Sequence, residues 1–242
     1  MKSIVMAAGK GTRLQSEKFN LPKVLREANG KALIDYVLEN VPFIKKEDTV
    51  IVAGYMKEKV MEHLGNEYKF AVQQQQLGTG HAVMMAEEAL KDYTGNVIVL
   101  SGDMPLISKG TYENIVNFHE ENRCDCTVLT CVTDKKLPFG RIIKENDMVI
   151  NIVEEKDCTE EQKKIKELNA GVYVFDSKKL FENLKNIKNT NAQCEYYLTD
   201  VPKIMAAKGY KVMSFPIFDE IEITGVNTQE DLDYVENILR NK

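Results

Sequence analysis

Short apolar runs that each end in a polar turn, separated by segments of helical spacing, set the strongest limit on how this chain can fold. Ile4–Ala8 runs into Gly9-Lys10-Gly11. Thr49–Ala53, Phe70–Val72 and Val97–Leu100 are further short strands, the last stopped by Ser101-Gly102-Asp103. Between them, Leu33, Ile34, Val37, Leu38 and Val41 recur at helical spacing, as do Lys57–Leu64 and a segment through Ala82, Val83, Ala86 and Ala89. A helix from near Lys109 to Asn122 then leads into a strand at Thr127–Val132. Strands joined by helices need crossovers, so the pattern implies an α/β fold with a mostly parallel sheet flanked by helices. Ligands of such sheets sit at the carboxyl ends of the strands. The turns after Ala8, Val72 and Leu100 are therefore expected to meet in one cleft.

The second half is less regular. Arg141–Lys144 and Met148–Val153 form an expected hairpin, Val172–Phe175 a strand and Leu198–Ala207 a helix, together a smaller, partly antiparallel insertion able to cover the cleft. The charged run Glu160–Lys166 is expected to be a solvated helix face. Thr228–Arg240 closes the chain as a helix with Leu232, Val235 and Leu239 on one stripe and a Thr228/Asp231 capping pair. The expected organisation is one domain over 1–227 followed by a terminal helix over 228–242.

Composition excludes several classes. With 43% apolar residues among 242, the chain can bury a sizeable core. Lys and Arg number 32 against 37 Asp and Glu, a net charge of −5, which argues against a broad nucleic-acid or membrane surface. No window of about eighteen apolar residues predicts a membrane helix. Met1-Lys2-Ser3-Ile4 leads directly into the first strand and its glycine loop, so no signal peptide is expected. Five scattered cysteines fit reduced thiols and a cytoplasmic location. Cys124 and Cys126 lie two apart on one strand face, but no second pair follows and the three histidines are distant, so buried thiols are expected rather than zinc ligands.

Ala7-Ala8-Gly9-Lys10-Gly11-Thr12-Arg13-Leu14 follows the first strand. Its glycines let backbone N–H groups face an anion closely. Leu14 stands where a dinucleotide fingerprint needs its third glycine, and no P-loop pattern occurs. What remains is a phosphate loop with its own cations, Lys10 and Arg13, joined by Lys23 behind the stiffening Pro22. Taken alone, a short glycine loop of this kind is better read as a surface turn with incidental lysines. Gln73-Gln74-Gln75-Gln76-Leu77-Gly78-Thr79-Gly80-His81-Ala82 marks another strand-to-helix junction. A glutamine amide suits the imide edge of uracil, Gly78 permits close approach, and Thr79 can cap the next helix, although taken alone the segment is better read as a polar linker with an N-cap. His81 reads as helix-terminal packing. Asp103, at the end of the most apolar strand, is a natural magnesium ligand or else a simple turn residue.

Ala8-Gly9-x-Gly11-Thr12-Arg13 followed by Pro22-Lys23 resembles the signature of the sugar-phosphate nucleotidyltransferases, and its Ala-Ala-Gly start leans toward the bacterial UDP-N-acetylglucosamine pyrophosphorylase branch. The resemblance continues through Gln73–Ala82, Ser101-Gly102-Asp103, Phe139-Gly140-Arg141, Val153-Glu154-Glu155-Lys156, Leu168-Asn169-Ala170-Gly171, Glu195–Asp200 and Gly225-Val226-Asn227. It implies a Rossmann-like sheet of the nucleotide-diphospho-sugar transferase kind. Arg13 and Lys23 would hold a triphosphate, and the backbone of Met6, Ala7, Ala8 and Gly9 would line the nucleotide site. Gln73, Gly78 and Thr79 would recognise uridine. Ser101, Gly102 and Asp103 would line the substrate site, with Asp103 and Asn227 holding Mg2+. Gly140 would bind the sugar through its backbone, Glu154 its ring hydroxyls and Asn169 the N-acetyl sugar, with Tyr197 and Thr199 as walls. Many relatives have Tyr where Ser101 stands, and Gly is frequent where Cys194 stands. The bifunctional members continue into a hexapeptide-repeat β-helix that this sequence lacks, so a free-standing relative or a piece of a longer chain is expected.

The implied reaction joins UTP and N-acetylglucosamine 1-phosphate to give UDP-N-acetylglucosamine and diphosphate, by in-line displacement without a side-chain nucleophile. Open alternatives are another sugar 1-phosphate such as glucose 1-phosphate, CTP in place of UTP, and a non-catalytic sugar-nucleotide-binding subunit. The partners expected are these small molecules, with an oligomer left open.

Overall fold

The alternation of apolar runs becomes one continuous sheet. The computed structural model describes residues 1–241. In chain order the strands are β1 (Lys2–Ala7), β2 (Glu27–Ala28), β3 (Lys31–Ala32), β4 (Thr49–Ala53), β5 (Lys69–Val72), β6 (Asn96–Ser101), β7 (Cys126–Val132), β8 (Arg141–Glu145), β9 (Met148–Val153), β10 (Glu167–Asp176) and β11 (Val212–Ile217). The helices are α1 (Ser16–Phe19), α2 (Leu33–Glu39), α3 (Lys57–Leu64), α4 (Thr79–Met84), α5 (Glu87–Leu90), α6 (Lys109–Glu121), α7 (Ser177–Leu184), α8 (Asp200–Ala207) and α9 (Gln229–Arg240). Nine strands order as β5-β4-β1-β6-β10-β7-β11-β9-β8, while β2 and β3 form a separate two-stranded ribbon.

The first four strands of that order pair in parallel, as helical crossovers require. From β10 onward the sheet is mixed: β10 runs antiparallel to both β6 and β7, and β11 is parallel to β7. The expected insertion is therefore not a separate layer but the far half of the same sheet, edged by the β8–β9 hairpin. β10 is longer than the Val172–Phe175 run because Glu167, Leu168 and Asn169 also pair, and a bulge between Asn169 and Tyr173 hides the continuity from a period-two reading.

Strand side chains alternate between the two faces. Ile4, Val50, Val52, Val97, Val99 and Phe175 pack with Val83, Leu90, Leu180 and Met205 on one face. Val5, Ala7, Ile51, Ile98, Leu100 and Val174 pack with Ile34, Val37, Val60 and Ile115 on the other. A third cluster joins Leu14, Ala28, Leu33 and Leu106 to Val226, Leu232 and Val235, so the end of the glycine loop and α9 share one apolar patch. α9 begins with the capping box expected at Thr228 and Asp231.

Several local expectations are corrected. The helix through Ala82–Ala89 is two short helices, α4 and α5. Glu160–Lys166 is solvated but holds only a three-residue 3-10 turn, Gln162–Lys164. Cys124 precedes β7 rather than sharing it with Cys126, and both thiols are buried. β11 and α7 went unread: β11 contains Pro216, and α7 is only two turns long. No helix among the described residues is long and apolar enough to cross a membrane.

Candidate active site

The three strand-end turns meet, as the topology demands, around a cleft of about 870 Å³ lined by Met6, Ala8, Gly9, Lys10, Gly11, Thr12, Lys23, Gln73–Thr79, Ser101, Asp103 and Glu195. Its floor is the carboxyl edge of β1. There the Met6 carbonyl accepts from Gly102 N at 3.0 Å, which ties the ends of β1 and β6 together. Ala7 points away into the core beneath.

Gly11 is required by its conformation and its neighbours. Its φ is +63°, and a Cβ there would lie 2.6 Å from Ser16 Oγ and 2.8 Å from Lys23 Cβ. The loop is thereby folded down onto Lys23, which starts a 3-10 turn behind Pro22. The Lys23 ammonium donates to the Asp103 carboxylate and, at 2.9 Å, to Asn227 Oδ1, which also accepts from Arg13 at 3.1 Å. Bonds to the backbone hold this meeting of four residues, whose Arg13 and Asn227 are 214 positions apart in sequence. Val226 N donates to the Asp103 carbonyl at 2.9 Å, and Asp231 Oδ2 accepts from Asn227 N and Thr228 N, each at 2.9 Å. Lys23 and Asp103 are largely withdrawn from water, so their charge-assisted bond is worth more than a surface ion pair.

The opposite wall has no such ion pair at its centre. Gln73 is 3% exposed, and its Nε2 donates to the Gly78 carbonyl at 3.1 Å and pairs with His81 Nδ1 at 3.0 Å. His81 is thus a hydrogen-bond partner rather than helix-end packing. Gly78 has φ +113°, and a Cβ there would lie 2.5 Å from the Tyr196 carbonyl. The loop is clamped to the Glu195–Leu198 segment: Tyr196 N donates to the Leu77 carbonyl and Gly80 N to the Tyr196 carbonyl, both at 2.8 Å. Thr79 does not cap α4; its hydroxyl accepts from Leu198 N at 3.0 Å instead.

Gly140, Glu154, Asn169, Tyr197 and Thr199 are not in the lining of the main cleft. They form an adjoining bonded group on the mixed half of the sheet. Asn169 N donates to the Gly140 carbonyl at 2.9 Å, and Asn169 Oδ1 accepts from Gly171 N at 3.1 Å. Thr199 Oγ1 donates to Glu154 Oε1 at 2.9 Å. Burial pushes the Glu154 carboxyl above its ordinary range, an effect the Thr199 bond partly offsets. Glu154 and Tyr197 also line a second cavity of about 360 Å³ with Asp157, Asp200 and Lys203. Gly171, φ +72°, connects this group to the main cleft, because a Cβ there would lie 3.7 Å from Ser101 Oγ.

Residues 2–220 match the nucleotidyl transferase family. The chain belongs to that family. It is 44% identical over 241 residues to the bifunctional protein GlmU of Streptococcus uberis and, equally, to that of Streptococcus thermophilus, covering 99% of this chain and 52% of each relative. The chain thus spans about half the length of the curated relatives it matches. Two solved structures share the family's fold over nearly the full chain. A UDP-glucose pyrophosphorylase complexed with UDP-glucose gives a TM-score of 0.76 at 19% identity, covering 99% of this chain and 98% of its own. An apo UDP-glucose pyrophosphorylase gives 0.80 at 18%, covering 100% and 98%.

Within this family member, the Asp103–Lys23–Asn227 contact sets a cation between a carboxylate and an amide oxygen beside the cleft. One carboxylate and one amide oxygen are hard donors of the kind magnesium takes, with water and substrate phosphates completing the shell. No group of three His, Cys, Asp or Glu side chains converges among the described residues. Sequence reasoning overlooked Asp231 as the acceptor that fixes Asn227 and His81 as the partner of Gln73. The Thr228/Asp231 pair was visible as a cap, but a cap pattern does not reveal that the same carboxylate reaches one residue further back.

Proposed function

We propose that the chain transfers a uridylyl group from UTP to N-acetylglucosamine 1-phosphate, releasing diphosphate. The observation that carries this reading is the hydrogen-bonded convergence of Arg13, Lys23, Asp103 and Asn227, of which Lys23 and Asp103 line the same cleft as Gln73–Gly78. A phosphate oxygen of the sugar 1-phosphate attacks the α-phosphorus of UTP. The new O–P bond forms as the bond to the bridging oxygen of the diphosphate breaks, and that oxygen leaves with the electron pair.

Arg13 and Lys23 take up the charge that grows on the diphosphate, Arg13 as a fork and Lys23 as a point charge. Glycine-loop N–H groups lie beside the phosphates. Asp103 and Asn227 would hold Mg2+, which supplies charge neutralisation between the two reacting phosphates. Gln73 and the Gly78 backbone read the base. Gly140, Glu154, Asn169, Tyr197 and Thr199 accept the sugar, with Glu154 as hydrogen-bond partner of ring hydroxyls. The 44% identity to proteins named bifunctional GlmU supports the choice of substrate pair.

The test is diphosphate release with Mg2+ from a panel of UTP, CTP and dTTP, each against N-acetylglucosamine 1-phosphate and glucose 1-phosphate. UTP with N-acetylglucosamine 1-phosphate is expected to give the highest kcat/KM. A higher value for glucose 1-phosphate overturns the sugar assignment, and no release from any pair overturns the activity.

A further inference from the structure

We infer that His81 is a positioning residue that makes the cleft prefer uracil over cytosine, by fixing which end of the Gln73 amide faces the base. This rests on the reading of Gln73 as the base-contacting side chain.

An amide has two hydrogens on nitrogen and one acceptor oxygen. Gly78 contributes a carbonyl oxygen, which can only accept, at 3.1 Å from Gln73 Nε2. That contact places the NH2 group inward. His81 Nδ1 at 3.0 Å takes the second hydrogen, which requires a neutral ring with its proton on Nε2. Both donors of Gln73 are then used within the chain. Its Oε1 has no hydrogen-bond partner among the described residues, yet it is not among the sealed, unsatisfied atoms, and Gln73 lines the cleft. The group presented to a ligand is therefore an acceptor. Uracil and thymine carry an N–H at ring position 3 and meet it with a hydrogen bond. Cytosine carries a lone pair at the same position and meets it with acceptor against acceptor. Turning the amide over would suit cytosine, but it would set Oε1 against the Gly78 carbonyl and would need the other His81 tautomer, with its proton on Nδ1. The clamp of Gly78 and Gly80 on Tyr196 keeps that carbonyl and His81 in place.

Removing the His81 acceptor frees one amide hydrogen and weakens the lock, so base selectivity should fall while chemistry at the phosphates continues. The experiment measures kcat and KM for UTP and CTP in wild type, His81→Phe, His81→Asn and Gln73→Leu. His81→Phe is expected to raise the KM for UTP and lower the UTP-over-CTP ratio of kcat/KM by about tenfold, with kcat for UTP nearly unchanged. His81→Asn, whose Oδ1 restores an acceptor near the Nδ1 position, should recover most of that ratio. An unchanged ratio in His81→Phe alongside a lost ratio in Gln73→Leu overturns the His81 inference and leaves the base reading standing. An unchanged ratio in Gln73→Leu overturns both. Equal losses in His81→Phe and His81→Asn assign His81 to packing and overturn the inference. Independently of any variant, the tautomers of the three histidines can be read from 15N spectra of wild type at alkaline pH. His81 is expected as the Nε2–H tautomer, and an Nδ1–H tautomer overturns the lock.

Discussion

The two walls of the cleft hold their residues by different physics. On one, Lys23, Arg13, Asp103 and Asn227 meet through charge, with a lysine ammonium between a carboxylate and an amide oxygen. On the other, Gln73, Gly78 and His81 meet through neutral hydrogen bonds around a glutamine that is almost wholly buried. Charge acts over distance and suits a group whose own charge changes during reaction. Neutral bonds act only at contact and suit a base that must be distinguished from another of the same shape. The charged wall should therefore govern turnover and the neutral wall binding.

Replacing Lys23 or Asp103 by alanine should break the contrast most severely. Turnover is expected to fall on the order of 10²–10³, about 3–4 kcal/mol of barrier, with a smaller change in KM for UTP. Near wild-type diphosphate release by Asp103→Ala would place the chemistry elsewhere.

Acid sets the mixed half of the sheet apart from the parallel half. His119 is buried under β7 with its Nδ1 2.9 Å from Thr127 Oγ1, and burial lowers its pKa from the ordinary 6.5 to about 4. The unfolded chain binds the proton first, so this contribution is intact above pH 6.5 and is lost as pH falls toward 4. The slope approaches about 1.4 kcal/mol per pH unit, with about 3 kcal/mol as an upper figure across the window. Urea unfolding at steps across that range should fall steeply in wild type and less in His119→Asn. An identical slope in the variant would remove His119 from the account.

Gly78→Ala sharpens the neutral side. At φ +113° with a backbone oxygen 2.5 Å from the new Cβ, the loop must shift. A cost of about 1–3 kcal/mol is expected, read as lowered thermal stability together with a raised KM for UTP. A normal KM with lowered stability would separate the loop from base binding.

The smallest expected effect is that of Asp231→Ala. It removes the acceptor of two backbone N–H groups, so about 1 kcal/mol of stability should go, with a severalfold weaker response to Mg2+ because Asn227 loses its anchor. Unaltered Mg2+ dependence would mean that the Val226–Asp103 backbone bond alone holds Asn227.

The glycine loop and Asp103 of the charged wall were legible in sequence because they obey a topological rule, whereas Asn227 came only from the family resemblance. Apolar runs at Ile4–Ala8 and Val97–Leu100 ended in polar turns, and parallel strands deliver such turns to the same edge. The neutral wall was legible only in part. Gln73 and Gly78 stood in a recognisable run, but nothing in that run says that the Thr79 hydroxyl serves Leu198 rather than α4, because its partner is 119 residues away. The sugar-side group was visible only as an ordered set of short motifs. Its bonds cross between the β8–β9 hairpin, β10 and the segment before α8, where no period in the sequence announces contact.

The sequence by itself determined the parallel half of the sheet, the glycine loop that needs a positive φ and the cations placed after it, since all three follow from local backbone preference and the two-fold alternation of strands. Only the tertiary structure decided that β10 runs antiparallel inside the sheet, that Asn227 meets Lys23, and which end of the Gln73 amide faces outward. Those outcomes depend on which distant donors and acceptors arrive together when both faces of the sheet are buried. That is a property of the packed chain and of no segment of it.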